Sequence, residues 1–184
     1  MDEASLIQEA RRGDLDSFNR LVLAYQDMVY YQAYRVIGEQ AAAEDAAQEA
    51  FISAYKNMSS YHGGSFKAWL LRIVTNACYD ELRRRKRRPT TPLEPLDQDD
   101  EEVESPTWLA DTGESPEETL ERLDLGDAIQ DCLQALPDDF RTVTVLVDLQ
   151  GMDYQEAAQV ICSPVGTVKS RLARARLRLR DCLQ

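Results

Sequence analysis

GMDYQEAAQVICSPVGTVKSRLARARLRLR, residues 151–180, is the stretch that decides the fold. Asp153 and Glu156, three residues apart, form a capping pair ahead of the apolar-periodic run YQEAAQVI. A break of about three residues follows. Ser163 then offers a cap, and Pro164 suits the first position of a new helix, where its missing N–H costs nothing. In that second helix Val165, Val168 and Leu172 repeat on one face, while Lys169, Arg171, Arg174, Arg176, Arg178 and Arg180 supply cations. Two short helices joined by a tight turn, the second one basic, predict a helix-turn-helix with a DNA-reading second helix.

The same punctuation continues outward. Upstream, SPEE makes Ser115 a cap, Pro116 a first helical residue and Glu118 the reciprocal partner. Leu120, Leu123, Ile129, Leu133 and Leu136 then keep helical spacing up to Pro137. TVTVLV (142–147) could pass locally for a strand, but its flanks, Pro137-Asp138-Asp139 and Gly151, favour a short helix. In the N-terminal half Phe18, Leu21, Val22, Tyr25 and Val29 lie on one helical face, capped by Asp16 or Ser17. A second helix around 43–58 puts Ala47, Ala50, Phe51 and Ala54 on one side and Glu44, Asp45, Gln48 and Glu49 on the other. YHGGSF (61–66) breaks the pattern, and Ser65 caps a third helix. Phe66, Leu70, Ile73 and Ala77 form its apolar stripe; Arg72, Asn76, Tyr79, Asp80 and Arg83 form a polar face running into six consecutive cations, Arg83–Arg88.

Charge divides the chain in three. Residues 1–92 hold 13 Lys/Arg and 12 Asp/Glu, residues 93–131 hold Arg122 against 15 acids, and residues 132–184 hold 7 Lys/Arg and 6 acids. The segments carry +1, −14 and +1, which together give the net −12 of the 184 residues. The middle stretch PLEPLDQDDEEVESPTWLADTGESPEE is too acidic and too poor in apolar residues to offset the entropy of ordering, which predicts a flexible linker. It acts either as a spacer or as an acidic strand that imitates nucleic acid in a basic channel.

Other function classes lose ground. One histidine, His62, removes most zinc-site and triad readings, and no phosphate-cradling glycine motif is present. No catalytic residue, metal site or cofactor is expected, and the chain does not read as an enzyme. The four cysteines, Cys78, Cys132, Cys162 and Cys182, form no CxxC pair, and three sit among apolar neighbours, so they are expected to be unpaired in a reducing compartment. No apolar run approaches the roughly 20 residues of a membrane span, and the acidic start MDEASLIQEARRGD lacks signal-peptide order. A cytoplasmic location without membrane insertion is expected.

At this point the residues resemble a family. The stretch 151–180 looks like the C-terminal region of extracytoplasmic-function (ECF) sigma factors of the sigma-70 family. AEDAAQEAFISAYKN and SFKAWLLRIVTNACYDELRRRKRR look like their N-terminal region. The match spans roughly residues 10–89 and 120–183. It implies an all-α protein with two small helical domains: a sigma region 2 bundle (1–92) and a sigma region 4 helix-turn-helix (116–184), joined by an acidic linker (93–115). It further implies a subunit that binds core RNA polymerase through its clamp and flap and directs promoter-specific initiation, in a stress or envelope response, with an anti-sigma factor as a possible partner. By the resemblance, Asp45, Gln48, Glu49 and Phe51 face the polymerase clamp. Tyr61, His62, Arg72, Asn76, Tyr79, Arg83 and Arg84 serve the minus-10 element. Pro164, Thr167, Lys169, Ser170, Arg171 and Arg174 serve the minus-35 element. Where the family usually has Gly in the helix-turn-helix turn this chain has Cys162, which would then sit in a left-handed conformation.

These roles suit the residue types. Aromatic rings stack on unpaired bases, and Asn offers a donor and an acceptor to a base edge. Lys and Arg pair with guanine edges or phosphates, and phosphate contacts position without reading sequence. The alternative is an autonomous helix-turn-helix regulator, which would dimerise on a palindrome and need no polymerase.

Overall fold

Asp14 and Gly38 bracket the longest helix. The Asp14 carboxylate accepts the Ser17 backbone N–H at 2.8 Å, and Gly38 ends the helix at φ 83°, a left-handed turn that other residues adopt only with strain. A computed structural model describes residues 2–87 and 116–184, with side chains from residue 125 onward in the second segment. Among these residues the elements are α1 (Glu3–Arg11), α2 (Leu15–Ile37), α3 (Gln40–Asn57), a 3₁₀ turn (Met58–Ser60) and α4 (Phe66–Arg87). After the gap come α5 (Pro116–Gln134), α6 (Asp138–Thr144), a π-helical turn (Val145–Leu149), α7 (Tyr154–Val160) and α8 (Val165–Cys182). The expected linker 93–115, with Arg88, Ser115 and the side chains of Glu118, Leu120 and Leu123, falls outside the described residues.

The fold is all-α, as expected. In the N-terminal bundle α2 packs on α3 and α4, with α1 across α2. Six buried alanines of α3, at 42, 43, 46, 47, 50 and 54, leave room for neighbouring helices to approach closely. Phe18, Leu21, Val29, Leu70, Leu71 and Val74 fill the rest. In the C-terminal half α6 and α7 pack against α8 around Val143, Leu146, Val168 and Leu172. TVTVLV is helical throughout, passing into the π turn. Asp153 and Glu156 form the full capping box.

Several local expectations need correction. The α2 cap is Asp14 rather than Asp16 or Ser17; Ser17 is buried and its hydroxyl donates to Glu9 Oε2 at 2.5 Å. The cap position of α8 is Pro164 rather than Ser163, so the helix starts one residue later. The α4 stripe is wider than Phe66, Leu70, Ile73 and Ala77, because Leu71, Val74, Thr75 and Cys78 are also buried between α2 and α3. The cysteine expectation fails for one pair: Cys132 and Cys182 form a disulfide joining α5 to the end of α8, whereas Cys78 is buried and free and Cys162 exposed and free. Cys162 does take the left-handed conformation, at φ 51°.

The two halves are packed together. The Arg35 guanidinium donates to Gln130 Oε1 at 2.9 Å and to the Gly126 carbonyl at 3.3 Å. Gln130 and Gln134 donate back to the carbonyls of Tyr34 and Arg35, each at 3.2 Å. Arg141 is buried and donates to four carbonyls: Leu133, Gln134 and Leu136 in its own half, and Val36 at the end of α2 at 2.5 Å. Burial lowers its pKa, opposed by Asp138, so the guanidinium holds its charge against carbonyl dipoles at two helix ends.

Candidate nucleic-acid interface

The loop before α4 and the outer stripe of that helix carry the first surface. Gly63 and Gly64 both have positive φ, turning the chain so that Ser65 can accept the Ala68 N–H at 3.1 Å and start α4. Tyr61 departs from the role expected for it. It is 6% exposed, its hydroxyl donates to the Gly64 carbonyl at 2.7 Å, and its ring packs on Phe66 and Trp69. It holds the loop rather than offering a stacking face. His62 beside it is exposed. Trp69, half-buried on the loop's rim with Arg72, is an aromatic the sequence reading passed over.

Further along α4, Arg72, Asn76 and Arg83 are exposed and Tyr79 is half-buried. Arg72 and Tyr79 point toward the other half of the chain. The Arg72 guanidinium donates to Cys162 Sγ at 3.7 Å. Tyr79 lies under α6, where burial raises its phenol pKa, with Asp139 adding to the effect and Arg171 opposing it. Asn76 lies on the opposite flank, in a hollow shared with Glu49, Ser53 and Asp80.

The cationic end of α4 is not bare. Arg83 pairs with Asp80 (2.6 Å), Arg84 with Glu81 (2.7 Å), Arg85 with Glu81 (2.8 Å) and Glu39 (2.6 Å), and Lys86 with Asp138 of the other half (2.6 Å). Most of these groups are substantially exposed, where ion pairs contribute about 0–1 kcal/mol and yield readily to phosphate.

Behind this stripe lies a groove between α3 and α4 of about 400 Å³. Asp45, Gln48 and Glu49 line it with Asp80, Glu81 and Arg84. Phe51 turns away and packs half-buried against the core. The groove's large apolar residue is Ile52, 42% exposed beside Ala46 and Ala77, which alanine-rich periodicity did not single out.

The second surface is α8. Pro164, Lys169, Ser170 and Arg174 are exposed and Thr167 half-buried. The Ser170 hydroxyl donates to the Thr167 carbonyl at 3.0 Å, and Lys169 stands 5.5 Å over the Tyr154 ring. Arg171 differs from its neighbours: it is paired with Asp139 at 2.7 Å and mostly covered. Arg176 is bound twice to Asp148, and Arg178 lies over Phe140.

The Sigma-70 region 2 family matches residues 21–88 and the Sigma-70 region 4 family residues 126–179. The chain is also 37% identical over 179 residues to the ECF RNA polymerase sigma factor SigW of Bacillus subtilis, across 97% of this chain and 95% of the relative. The chain belongs to the ECF sigma factors. The RNA polymerase sigma-H factor of Pseudomonas aeruginosa is 37% identical over 183 residues, covering 99% of this sigma factor and 94% of the relative. Among solved structures, the sigma factor RpoE of Bartonella quintana, in complex with the anti-sigma factor NepR, superposes with a TM-score of 0.69 at 25% identity, covering 92% and 98% of the two chains. The region 2 match runs from within α2 through α4 and the region 4 match from within α5 into α8, and the two halves are called region 2 and region 4 below. As a sigma factor the protein binds core RNA polymerase and directs initiation at promoters. Among its described residues no helix is long and apolar enough to cross a membrane.

Within this sigma factor the start of α4 faces α7, while Lys169, Ser170 and Arg174 of α8 stay exposed. A cleft of about 280 Å³ has Gly63, Gly64, Trp69 and Arg72 on one wall and Glu156 and Gln159 of α7 on the other. Lys67 donates to the Gln150 carbonyl at 2.6 Å across the same seam.

Proposed function

We propose a division of labour among three surfaces. The acidic α3–α4 groove, with Asp45, Gln48 and Glu49 and with Ile52 in place of Phe51, takes the cationic clamp of core polymerase. His62, Arg72, Asn76 and Tyr79, backed by Arg83 and Arg84, handle the minus-10 element, and Tyr61 shapes the loop for them. Lys169, Ser170 and Arg174, with Pro164 and Thr167 at the helix start, read the minus-35 element, and Arg171 joins them once released from Asp139. The observation that carries this reading is the separation of charge on region 2. Asp45, Glu49, Asp80 and Glu81, with Arg84 among them and Asn76 beside them, line one flank of α4, and Trp69, Arg72 and Tyr79 lie on the other. With Arg72 bonded to Cys162 and Tyr79 lying under α6, duplex DNA cannot enter the seam, so initiation requires region 4 to leave region 2. Core polymerase, holding the two regions apart through clamp and flap, would supply that separation, in the compartment where polymerase works. The solved RpoE complex supports an anti-sigma factor as a further partner.

Run-off transcription with purified core polymerase tests the scheme. Arg174→Ala should weaken promoters that depend on a minus-35 element, each lost bidentate base contact costing about 1–3 kcal/mol of discrimination. Asn76→Ala should impair opening and be rescued by a premelted template. If instead Asn76→Ala lowers affinity for core and premelting does not help, Asn76 belongs to the groove it shares with Glu49.

A further inference from the structure

The Cys132–Cys182 bond takes part in neither DNA reading nor clamp binding, yet it sits where the two regions are fastened. Cys132 lies on α5 between Gln130 and Gln134, the two side chains that grip the carbonyl end of α2. Cys182 ends α8, the helix that carries Lys169, Ser170 and Arg174. The bond, spanning 50 residues of sequence, therefore makes one rigid body of the recognition helix and the latch. A latch held rigid loses less freedom when it docks than one that must be ordered on contact.

Access to the two sulfurs is asymmetric. Cys182 is exposed and Cys132 is 5% exposed. The other thiols compete poorly for a structural role of this kind: Cys78 is buried in region 2, where burial pushes its pKa up to about 12, and Cys162 has no cysteine partner.

We propose that Cys132–Cys182 is an exchange site for low-molecular-weight thiols and disulfides, and that its oxidised form favours the arrangement in which region 4 packs against the Arg72–Tyr79 side of α4. The inference rests on the sigma-factor reading above. In reduction, a small thiolate attacks Cys182 Sγ; the Cys182–Cys132 bond breaks, a mixed disulfide forms at Cys182, and the Cys132 thiolate leaves. A second small thiolate attacks the mixed disulfide, releasing the small-molecule disulfide and the Cys182 thiolate. Two small thiols are consumed, one small disulfide is produced, and their two protons pass to the protein thiolates. Oxidation is the reverse, with the small disulfide as oxidant. Coupling of this kind is reciprocal: core polymerase, by separating the regions, makes the bond easier to reduce.

The test uses the full chain equilibrated across a series of reduced to oxidised glutathione ratios, quenched in acid, alkylated and mapped by mass. Expected is one two-electron transition from four alkylated cysteines to two, with Cys78 and Cys162 the two that remain free. Anisotropy on a random DNA duplex should show the oxidised form binding about 5- to 150-fold more weakly than the reduced form, the usual range of site-to-site coupling. Cys132→Ser and Cys182→Ser should each bind like the reduced protein at every ratio. The proposal is overturned if the pair stays reduced at all ratios, if the two forms bind DNA equally, or if the Ser variants still respond to glutathione. Thiol counting and duplex binding need no polymerase, so failure in run-off transcription by the reduced protein strikes the sigma-factor reading alone.

Discussion

Region 2 and region 4 reach stability by different routes. Region 2 is a bundle of long helices closed by small side chains, and its buried polar groups are few: Ser17, Gln32 and Thr75. Region 4 sets two helices of seven residues, α6 and α7, between the longer α5 and α8, and it buries a guanidinium, two threonines and two glutamines. Arg141 collects four carbonyls at its centre, and a disulfide closes its ends. A small domain with little apolar volume substitutes directional bonds and a covalent tie for core. One of those directional bonds, to the Val36 carbonyl, crosses to region 2, so part of region 4's scaffold is borrowed from its neighbour.

The most severe way to separate the two regions is alkali. Region 2 holds a buried thiol, Cys78, a buried phenol, Tyr61, and half-buried phenols at Tyr25, Tyr30 and Tyr79. The pKa of Cys78 rises to about 12, chiefly through burial, and that of Tyr25 to about 12 through burial and its hydrogen bond to Glu3. Tyr30, Tyr61 and Tyr79 also shift upward, burial first in each case. In every one the folded state keeps a proton that the unfolded chain loses. Their contribution is therefore complete below about pH 9, the ordinary value of a thiol here, and drains away as pH climbs toward about 12. Among the described residues region 4 buries no phenol or free thiol. Urea titrations followed by circular dichroism should show the region 2 transition collapsing between pH 9 and 12 while that of region 4 holds. Tyr79, covered by α6, adds that the seam opens in the same window. Equal loss in both regions would refute the contrast.

A narrower break targets the borrowed scaffold. Arg141→Ala strips donors from four carbonyls packed at helix ends and should cost about 3 kcal/mol or more. Hydrogen exchange should accelerate through α6–α8 and remain slow in α2–α4. Matching acceleration in region 2 would show that the Val36 bond supports both halves rather than one.

Much of this was legible beforehand because it is local. Apolar periodicity gave α2, α3, α4 and α8, short-range hydrogen bonding gave the Ser65 cap and the Asp153–Glu156 box, and the resemblance gave the left-handed turn at Cys162. What escaped shares one property, distance along the chain. Cys132 and Cys182 are 50 residues apart with no spacing motif to join them. Arg35, Gln130, Gln134 and Arg141 form a hydrogen-bonded seam, and polar residues meeting across domains leave no apolar period to detect. Helix α1 buries only Ala10, too little apolar signal for so short a segment. The DNA and polymerase roles came from the resemblance, and there Tyr61, buried, and Phe51, half-buried against the core, leave less side chain for a partner than the motif implies.

The smallest break lies at the seam itself, at Gly38. Its φ of 83° is left-handed, and a Cβ built there would overlap the side chain of Gln134. That amide donates to the Arg35 carbonyl at 3.2 Å, so the new methyl would displace a latch residue while straining the turn that ends α2. The strain alone is worth about 1–2 kcal/mol for a residue with a Cβ. Gln134 is flexible and can swing away, so the steric part should be modest and should fall on docking rather than on either fold. Gly38→Ala is therefore expected to lower the region 2 urea midpoint slightly and to widen the separation of the regions seen by small-angle scattering. Gln134→Ala should open the seam without touching the midpoint. Combining them should keep the midpoint loss and add little further opening, because both remove the same bond. If the double variant opens much more than either single one, the seam is held elsewhere, by Arg141 at Val36 or Lys86 at Asp138, and Gln134 is a spectator.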